Sequence, residues 1–597
     1  MYTSLFSAEV QSVFDAAESN AGLAHGPFPS PADWRDQIIY FLMVDRFNNP
    51  AAAPVHAPYD DPNYYAYQGG KFAGVSQELG YIKSLGAGAI WLSPVLKNLR
   101  FDVGSYHGYG IHDFLRAEPL FATNPANADN ELRELVDAAH AAGLYVILDI
   151  VLNHTGDVFA YAGQSSAPHS PVPLPVQWRD ANGVAQASWT DVAAITSTPL
   201  DAGVWPSELQ QNSYFRREGG PDPQGPDTVG DFASLKQLMT GDPELQSFLI
   251  RAYQYVIARY DIDGFRIDTL RYLQGNLAQT FGNAIREFAL SIGKKNFFTF
   301  GEVLDGMAEE DIARFIGRNT ATGGDANSLV GVDAALDYPL FNNLKPIIKG
   351  FNAPHSLVGM YQFRKQVEQY ILSTHGDATR YFVTFVDNHD MKERIRFEQP
   401  GNPTQYDTQV SMAIGCLYGL PGIPCVYYGT EQGLHGAGTD PAVREALWGI
   451  APAFPASTSF YGELQKLAAV RAATPALRYG RYYFRPVSGD SINFGVSPFG
   501  GGILAWSRIL NDAEVLIVAN TSTSENVSVD VILERTLSAS GDQLRIAYSN
   551  QQAPTVPQPV RNLQDVTVAE VDGSVGHGPL NTVRVILRPM EIQILRH

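Results

Sequence analysis

The stretch AGLYVILDIVLNH (142–154) contains an apolar run, residues 145–150, that ends in a polar cluster. Similar runs, rich in Ile, Val and aromatic residues, alternate with helical stretches along much of the chain. They lie at residues 38–44, 89–92, 264–267, 297–300, 330–335, 382–386 and 423–427. Repeated strand and helix units are typical of a parallel sheet covered by helices. Eight units spread over about 440 residues predict a barrel with insertions in its loops.

The chain outside these units has a different composition. Residues 1–30 predict a helical leader, and the barrel is predicted in two parts, 31–154 and 241–477. Between them, residues 155–240 are rich in Pro, Gly, Ser and Asp, which predicts an inserted lobe after the third strand. From residue 478 to 597, stretches such as GGILAWSRI and AEVLIVANTS alternate in the manner of strands. We therefore predict a C-terminal antiparallel β-sandwich domain.

Charge and composition exclude several classes of function. Lys and Arg total 42 against 62 for Asp and Glu, and a net charge of −20 disfavours nucleic acid and anionic membranes as partners. No stretch approaches the roughly 20 apolar residues that span a bilayer. The 29 Tyr and 31 Phe residues suit the stacking of sugar rings, although most are expected in the core. Cys416 and Cys425 are expected to be buried thiols.

The first 20 residues, MYTSLFSAEVQSVFDAAESN, lack a basic start followed by a long apolar run. They therefore do not resemble a signal peptide, and we expect a cytoplasmic location by default. A secreted or periplasmic location applies instead if a signal has been removed. The oligomeric state is left open.

Five polar clusters follow candidate strands, at the positions where such barrels carry their functional groups. One such cluster alone is as well explained by a helix cap or a structural ion pair. Their joint occurrence is more informative. They are SYHGYGIHDF (105–114), DIVLNH (149–154), GFRIDTLRY (264–272), FGEVLDG (300–306) and FVDNHD (385–390).

The order and context of these clusters resemble the α-amylase superfamily, glycoside hydrolase family 13. The resemblance covers nearly the whole chain and includes three further stretches. These are IIYFLMVDRF (38–47), QGGKFAGVSQELGYIKSLGAGAIWLSP (68–94) and GIPCVYYGTEQG (422–433). The resemblance implies an α/β fold, a (β/α)8 TIM barrel, and a retaining glycosidase with three carboxylates in one site.

By this resemblance Asp268 is the nucleophile, Glu302 the acid/base and Asp390 the carboxylate that grips ring hydroxyls. A retaining reaction needs one carboxylate to attack the anomeric carbon and another to protonate the leaving oxygen. Arg266 lies two residues before Asp268, so both side chains point from the same face of a strand. Its cation can keep the Asp268 carboxylate ionised.

The resemblance also implies a set of sugar contacts. His154 and His389 are expected to form hydrogen bonds with the sugar, and Tyr109 to stack on it. His107 can contact the sugar or be structural, while Asp149 is expected to orient Arg266. After the nucleophile many α-amylases have Lys and then His, whereas this chain has Arg271 and Tyr272. This departure alters the site that accepts the leaving group.

Many relatives hold a calcium ion between the barrel and the inserted lobe. The matching positions are Asn153 and Asp231, whose oxygens suit a hard cation. Asn153 alternatively braces the loop. We expect at most this structural calcium, and no organic cofactor.

We predict a hydrolase that cleaves α-1,4-glucosidic bonds in starch or maltooligosaccharides. A transglycosylase or an enzyme acting on small α-glucosides remains an alternative, because the same glycosyl-enzyme can react with a sugar hydroxyl. A non-catalytic carbohydrate-binding protein is a third interpretation, since a fold alone does not imply activity. The presence of Asp268, Glu302 and Asp390 argues against it.

Overall fold

The computed structural model describes most of the chain. The described residues are 3–21, 26–57, 65–163, 172–191, 201–218, 230–304, 309–319, 330–368, 370–373, 376–551 and 556–597. Two residues of the predicted FGEVLDG cluster, Asp305 and Gly306, lie outside these ranges, as do parts of the predicted inserted lobe. No helix in the described part of the chain is long and apolar enough to cross a membrane.

Eight parallel strands form the central sheet. In chain order they are β1 (Ile39–Leu42), β2 (Ala89–Leu92), β3 (Tyr145–Val151), β4 (Gly264–Asp268), β5 (Phe298–Gly301), β6 (Ala334–Ala335), β7 (Val383–Thr384) and β8 (Ile423–Tyr427). Their order in the sheet is β6-β5-β4-β3-β2-β1-β8-β7. A parallel bridge between Leu336 and Val383 joins the two edges. The sheet closes on itself, which confirms the predicted barrel.

The strands form where apolar side chains are buried on both faces, as expected for a parallel sheet. Every residue of β1, β2 and β4 is buried. The predicted ranges and the observed ones differ at their ends. The first was predicted to reach residue 44, but a short helix, Val44–Phe47, already begins there. The residues of this helix are also buried. An apolar run predicts which residues are buried, but it does not show where the strand ends and the helix begins.

Helices connect the strands and cover the barrel. Helix Pro243–Tyr260 is typical: Asp242 caps its first turn through its side chain, and its apolar residues face inward. The N-terminal helix packs on it, with Phe14 against Tyr255. The described helices are Ala8–Ser19, Val44–Phe47, Phe72–Gln77, Leu79–Ser84, Ala128–Ala141, Pro243–Tyr260, Leu277–Ser291, Glu309–Ile312, Tyr338–Ile348, Pro354–Glu368, Thr408–Gly419, Ser459–Ala473 and Pro475–Tyr479.

Short strands and aromatic packing organise the segment between β3 and β4. Phe159, Trp178 and Phe215 pack edge to face at centroid separations of 5.3–5.5 Å. Strand Lys236–Gln237 pairs with His154–Thr155, which follows β3 directly. The insertion is thereby joined to the end of the barrel strand that precedes it. The remaining short strands here are Phe159–Tyr161 and Val176–Trp178.

The main sheet of the C-terminal part is antiparallel, as predicted. Its nine strands form one continuous sheet, in the order Arg481–Phe484, Ile503–Leu510, Ala513–Asn520, Ile592–Arg596, Gln543–Ser549, Gln558–Leu563, Leu580–Leu587, Val527–Ile532 and Val487–Ser488. The sheet curls, and residues from both of its halves, such as Leu516 and Val585, share one apolar core. A small sheet of Asn493–Phe494, Thr567–Ala569 and Val575–His577 lies beside it.

Candidate active site

The predicted site residues gather at one end of the barrel. Asp268 is the last residue of β4, and Glu302 immediately follows β5. The loop after β7 supplies Asp390, while the loops after β2 and β3 supply Tyr109 and His154. Because all eight strands are parallel, these loops meet at the carboxyl edge of the sheet, where barrel enzymes carry their active sites.

Arg266 is the centre of the carboxylate cluster. Its Nη1 lies 2.8 Å from Asp149 Oδ1 and 2.9 Å from Asp268 Oδ1, and its Nη2 lies 3.0 Å from Glu302 Oε2. The guanidinium is fully buried. Two neighbouring nitrogens of one planar group thus bind Asp268 and Glu302, which keeps the two carboxylates close together.

The cluster has more acid groups than cations. Burial raises the pKa of Asp268, the charges of Glu302 and Asp149 raise it further, and Arg266 opposes them. Burial likewise raises the pKa of Asp149 to about 7. One guanidinium does not neutralise three buried carboxylates, so the pKa of Asp149 lies close to neutral pH.

Two hydrogen-bond donors hold Glu302 in addition to its ion pair with Arg266. The Tyr338 hydroxyl donates to Oε1 at 3.0 Å, and the Thr269 amide donates to Oε2 at 3.3 Å. Thr269 has a positive φ of 47°, which is uncommon for a residue other than glycine. This conformation turns the chain sharply after the nucleophile position and directs its amide toward Glu302.

Asp390 is the most exposed of the three predicted carboxylates, with a quarter of its side chain accessible. Arg444 Nη2 lies 2.9 Å from its Oδ1, and His389 Nε2 lies 3.2 Å from its Oδ2. The other contacts of His389 hold its ring firmly, with Tyr109 Oη 2.7 Å from Nε2 and Asn388 Oδ1 2.6 Å from Nδ1. A partly exposed carboxylate on a rigid support is suited to bind a sugar hydroxyl.

The other two histidines differ in what they can offer a ligand. His154 is buried, its Nε2 lies 3.9 Å from Asp268 Oδ2, and neither ring nitrogen has a hydrogen-bond partner among the described residues. Burial lowers the pKa of His154 to about 4, so its ring is neutral at pH 7. His107 Nδ1 accepts a hydrogen bond from the Tyr109 amide. His154 therefore has ring nitrogens beside the nucleophile without a described hydrogen-bond partner, whereas His107 shapes the loop.

Aromatic rings extend the site outward from His154. The Phe232 ring is nearly parallel to that of His154, at 6.3 Å, and lies 5.9 Å from the Tyr272 ring. About a third of Phe232 is exposed. Arg271, by contrast, donates to the carbonyl oxygen of Leu304 at 3.1 Å. Phe232 and Tyr272 offer a stacking surface beside the nucleophile.

The predicted calcium ligands belong to a cluster that already contains a cation. Lys236 Nζ lies 2.8 Å from Asp231 Oδ2 and 3.1 Å from Asp157 Oδ1, and the Tyr161 hydroxyl donates to Asp231 Oδ1 at 2.9 Å. In this cluster Asn153 Oδ1 and Asp157 Oδ1 are buried without a hydrogen-bond partner among the residues described, and Asp157 Oδ1 already lies in the ion pair with Lys236. Calcium needs six to eight oxygen ligands, so these donors do not fit it. Calcium binding by Asn153 and Asp231 stays a prediction from the sequence resemblance.

Sequence reasoning missed four residues that contact the predicted site residues. Tyr338, Arg444 and Phe232 approach Glu302, Asp390 and His154 from distant parts of the chain, and Lys236 pairs with Asp231. Lys236 and Phe232 carried a signal, because both lie in the same segment as Asp231. The contacts of Tyr338 and Arg444 exist only once the barrel has closed.

Comparison with known proteins agrees with this geometry. Residues 41–448 match the catalytic domain of the α-amylase family. The chain is 27% identical to an α-amylase of Streptomyces lividans over 75% of its own length and 50% of the relative's. It is also 27% identical to a cyclomaltodextrin glucanotransferase of Geobacillus stearothermophilus, over 83% of its own length and 61% of the relative's. The chain thus spans less than two thirds of either relative.

Two solved structures share the fold. The acarbose complex of the Geobacillus thermoleovorans α-amylase aligns with a TM-score of 0.61 at 24% identity, covering 95% of this chain and 99% of that one. The γ-cyclomaltodextrin glucanotransferase of alkalophilic Bacillus clarkii aligns with a TM-score of 0.66 at 21% identity, covering 95% and 71%. With the family match over residues 41–448, the chain belongs to the α-amylase family of glycoside hydrolases and transglycosylases, glycoside hydrolase family 13.

Proposed function

We propose that this enzyme cleaves α-1,4-glucosidic bonds in starch or maltooligosaccharides with retention of configuration. The observation that carries the proposal is the binding of Asp268 and Glu302 to neighbouring nitrogens of Arg266. A retaining pair lies ~5–5.5 Å apart, closer than an inverting pair. Two relatives, an α-amylase and a cyclomaltodextrin glucanotransferase, support an α-glucan as the substrate.

The first half-reaction uses the Asp268 carboxylate as nucleophile. One oxygen attacks the anomeric carbon while the bond to the leaving oxygen breaks, and Glu302 gives that oxygen its proton. A covalent glycosyl-enzyme results. Arg266 steadies the attacking carboxylate, and Asp390, backed by Arg444, binds hydroxyls of the same ring. The neutral His154 ring supplies a further hydrogen bond.

The second half-reaction regenerates the enzyme. Glu302, now a carboxylate, takes a proton from water, and the resulting oxygen attacks the anomeric carbon as the bond to Asp268 breaks. A sugar hydroxyl can replace water in this step. The acceptor therefore decides between hydrolysis and transglycosylation.

A product time course tests the proposal. Wild type, Asp268→Asn and Glu302→Gln are incubated with maltoheptaose and with soluble starch, and the products are separated by chromatography. We expect short maltooligosaccharides from wild type and a loss of roughly 10³-fold or more in both variants. The matched control is Asp137→Asn, on the exposed face of helix Ala128–Ala141, which should keep full activity. Near-normal turnover by Asp268→Asn contradicts the assignment.

Transglycosylation is the second candidate, favoured by the exposed Phe232 ring beside Tyr272. An aromatic surface next to the nucleophile binds an incoming sugar in preference to water. If transfer is the main activity, maltoheptaose yields products longer than itself, and Phe232→Ala lowers the ratio of transfer to hydrolysis severalfold. Phe363→Ala, with an equally exposed ring on helix Pro354–Glu368, is the control. An absence of longer products excludes this candidate.

A further inference from the structure

A second pocket lies at the opposite end of the barrel from the carboxylates. Its walls include Arg35, just before β1, and Pro421 and Gly422, just before β8. The first strand of the C-terminal sheet, Arg481–Phe484, forms another wall. The pocket therefore lies between the amino ends of the barrel strands and the C-terminal sheet. A five-residue strand spans roughly 17 Å, so this pocket is separate from the active site.

The lining of this basal pocket is strongly cationic. The protein carries a net charge of −20, yet the described lining residues include six cations and no Asp or Glu. The cations are Arg35, Lys365, Arg380, Arg478, Arg481 and Arg508. The empty space in the pocket and at its mouth, open solvent included, is about 530 Å³. Such a concentration of one charge in an acidic protein creates a local field that attracts anions.

Protein carboxylates neutralise only part of this charge. Arg35 pairs with Asp33 at 2.6 Å, and Arg478 pairs with Asp36 at 2.5 Å. Lys365 and Arg481 form no ion pair with any residue that the structure describes. Their positive charge is open to the pocket.

Arg508 is buried in the wall without a carboxylate partner among the described residues. Its Nε and Nη2 donate to the carbonyl oxygen of Gly480 at 3.1 and 2.9 Å, and its Nη1 donates to that of Gly419 at 2.9 Å. Carbonyl dipoles solvate the guanidinium but do not cancel its charge. Burial, together with the nearby Arg471, Arg380 and Arg35 charges, lowers the pKa of Arg508 to about 9.

Arg471 lies behind the pocket and, like Arg508, is buried without a carboxylate partner among the described residues. It is buried and donates to carbonyl oxygens, those of Tyr418 and Leu477 at 2.7 and 2.8 Å and that of Gly422 at 3.1 Å. Its Nε has no partner in the described part of the chain. Buried charges are costly unless they are paired, so two uncompensated arginines beside a cationic cavity indicate a missing counterion.

We propose that the basal pocket binds a phosphate group, either free inorganic phosphate or the phosphate of a small sugar phosphate. Arginine presents its donors in a planar fork that matches phosphate oxygens, and Arg481 brings such a fork to the pocket together with the Lys365 ammonium. The Tyr479 and Tyr482 rings, each beside a cation of the pocket, offer a surface for a sugar attached to the phosphate. Binding neutralises the local excess charge and stabilises the contact between barrel and C-terminal sheet.

Calorimetric titration of the full chain with inorganic phosphate, glucose 6-phosphate and glucose tests this proposal. The ionic strength is held constant with sodium chloride, and maltoheptaose is added to occupy the active site of the inactive Glu302→Gln variant. We expect saturable binding of at least one phosphate compound, no binding of glucose at the pocket, and a rise in Tm beyond that with chloride alone. Equal affinity for inorganic phosphate and glucose 6-phosphate assigns the site to free phosphate. Tighter binding of glucose 6-phosphate assigns it to the sugar phosphate.

The test variant is Lys365→Gln/Arg481→Gln, whose two side chains are exposed and make no ion pair with a described residue. It should fold normally and bind phosphate about 10-fold or more weakly, since each 1.4 kcal/mol is a factor of ten. The control, Lys466→Gln, removes a surface cation from another helix and should bind as wild type does. Absence of phosphate binding, equal binding by the test variant, or displacement of phosphate by maltoheptaose overturns the proposal.

Discussion

At the scale of single residues, the active site depends on how many partners each charged group has. Arg266 contacts three carboxylates, and the two-residue spacing from Asp268 predicted one of these contacts. The expectation that Asp149 orients Arg266 agrees with its 2.8 Å contact. Trp91 and Tyr109 also donate to Asp149, at 3.2 and 2.9 Å. Asp149 is thus a positioning residue behind the nucleophile.

The raised pKa of Asp149 predicts a pH dependence of stability. Its value of about 7 in the folded chain exceeds the ordinary 3.8, so folding favours the protonated form. Stability is therefore greatest below the unfolded-state pKa and falls as pH rises from about 4 to about 7. Asp149→Asn removes this loss. Between pH 5 and pH 7.5 its free energy of unfolding relative to wild type should therefore improve by roughly 1–3 kcal/mol, which raises its relative Tm.

Scanning calorimetry of wild type and Asp149→Asn at both pH values measures this effect. The amide also alters the hydrogen bonds with Arg266, Trp91 and Tyr109 at both pH values, so the result is the change in the Tm difference between pH 5 and pH 7.5. Asp137→Asn, whose carboxylate is half exposed, should show the same Tm difference at both pH values. A relative Tm that worsens toward pH 7.5 would contradict the prediction.

At the scale of elements, one short strand connects the insertion to the barrel. Strand Lys236–Gln237 pairs with His154–Thr155, and this places the Lys236 ammonium between Asp231 and Asp157. Arg179 lies 3.1 Å from Asp157 as well. Two carboxylates and two cations balance without a metal. The strand pairing therefore brings an internal cation to the position where relatives were expected to bind calcium.

Replacement of Lys236 tests this balance. Lys236→Met keeps the length of the side chain but leaves two largely buried carboxylates short of a cation, which costs about 3–5 kcal/mol. We expect the Tm to fall by several degrees, whereas Lys466→Met, at an exposed ion pair, should cost less than about 1 kcal/mol. The wild-type Tm should not change with EDTA. A fall in Tm on chelation would instead establish a structural metal ion.

At the scale of the whole molecule, one helix joins the barrel to the C-terminal sheet. Every residue of Thr408–Gly419 is buried after its first, and a Cβ added at Gly415 would lie 3.0 Å from Ile592. Trp506 is fully buried against the end of this helix, and its Nε1 donates to the Gly419 carbonyl oxygen at 3.1 Å. The main hydrophobic core includes barrel residues together with Trp506 and Ile592. Barrel and sheet share one core here.

A shared core predicts that both parts unfold together. Trp506→Ala removes a large buried ring and should lower the free energy of unfolding by about 3–5 kcal/mol while one transition is retained. Phe499→Ala, at a mostly exposed ring of the same domain, should change it by less than about 0.5 kcal/mol. Calorimetry and tyrosine fluorescence report on both parts. Two separate transitions in Trp506→Ala would show that the parts fold independently.

The sequence by itself determined the barrel, the antiparallel C-terminal sheet and the polar clusters at the strand ends. These features depend on the order of neighbouring residues along the chain. An apolar strand, for example, places the polar residue that follows it at the carboxyl edge of the sheet. Only the tertiary structure decided that Arg444 supports Asp390, that Phe232 faces His154 and that six cations among the described residues line the basal pocket. Such contacts join residues far apart in the chain, and no sequence spacing encodes them. Closure of the barrel and docking of the C-terminal sheet bring them together.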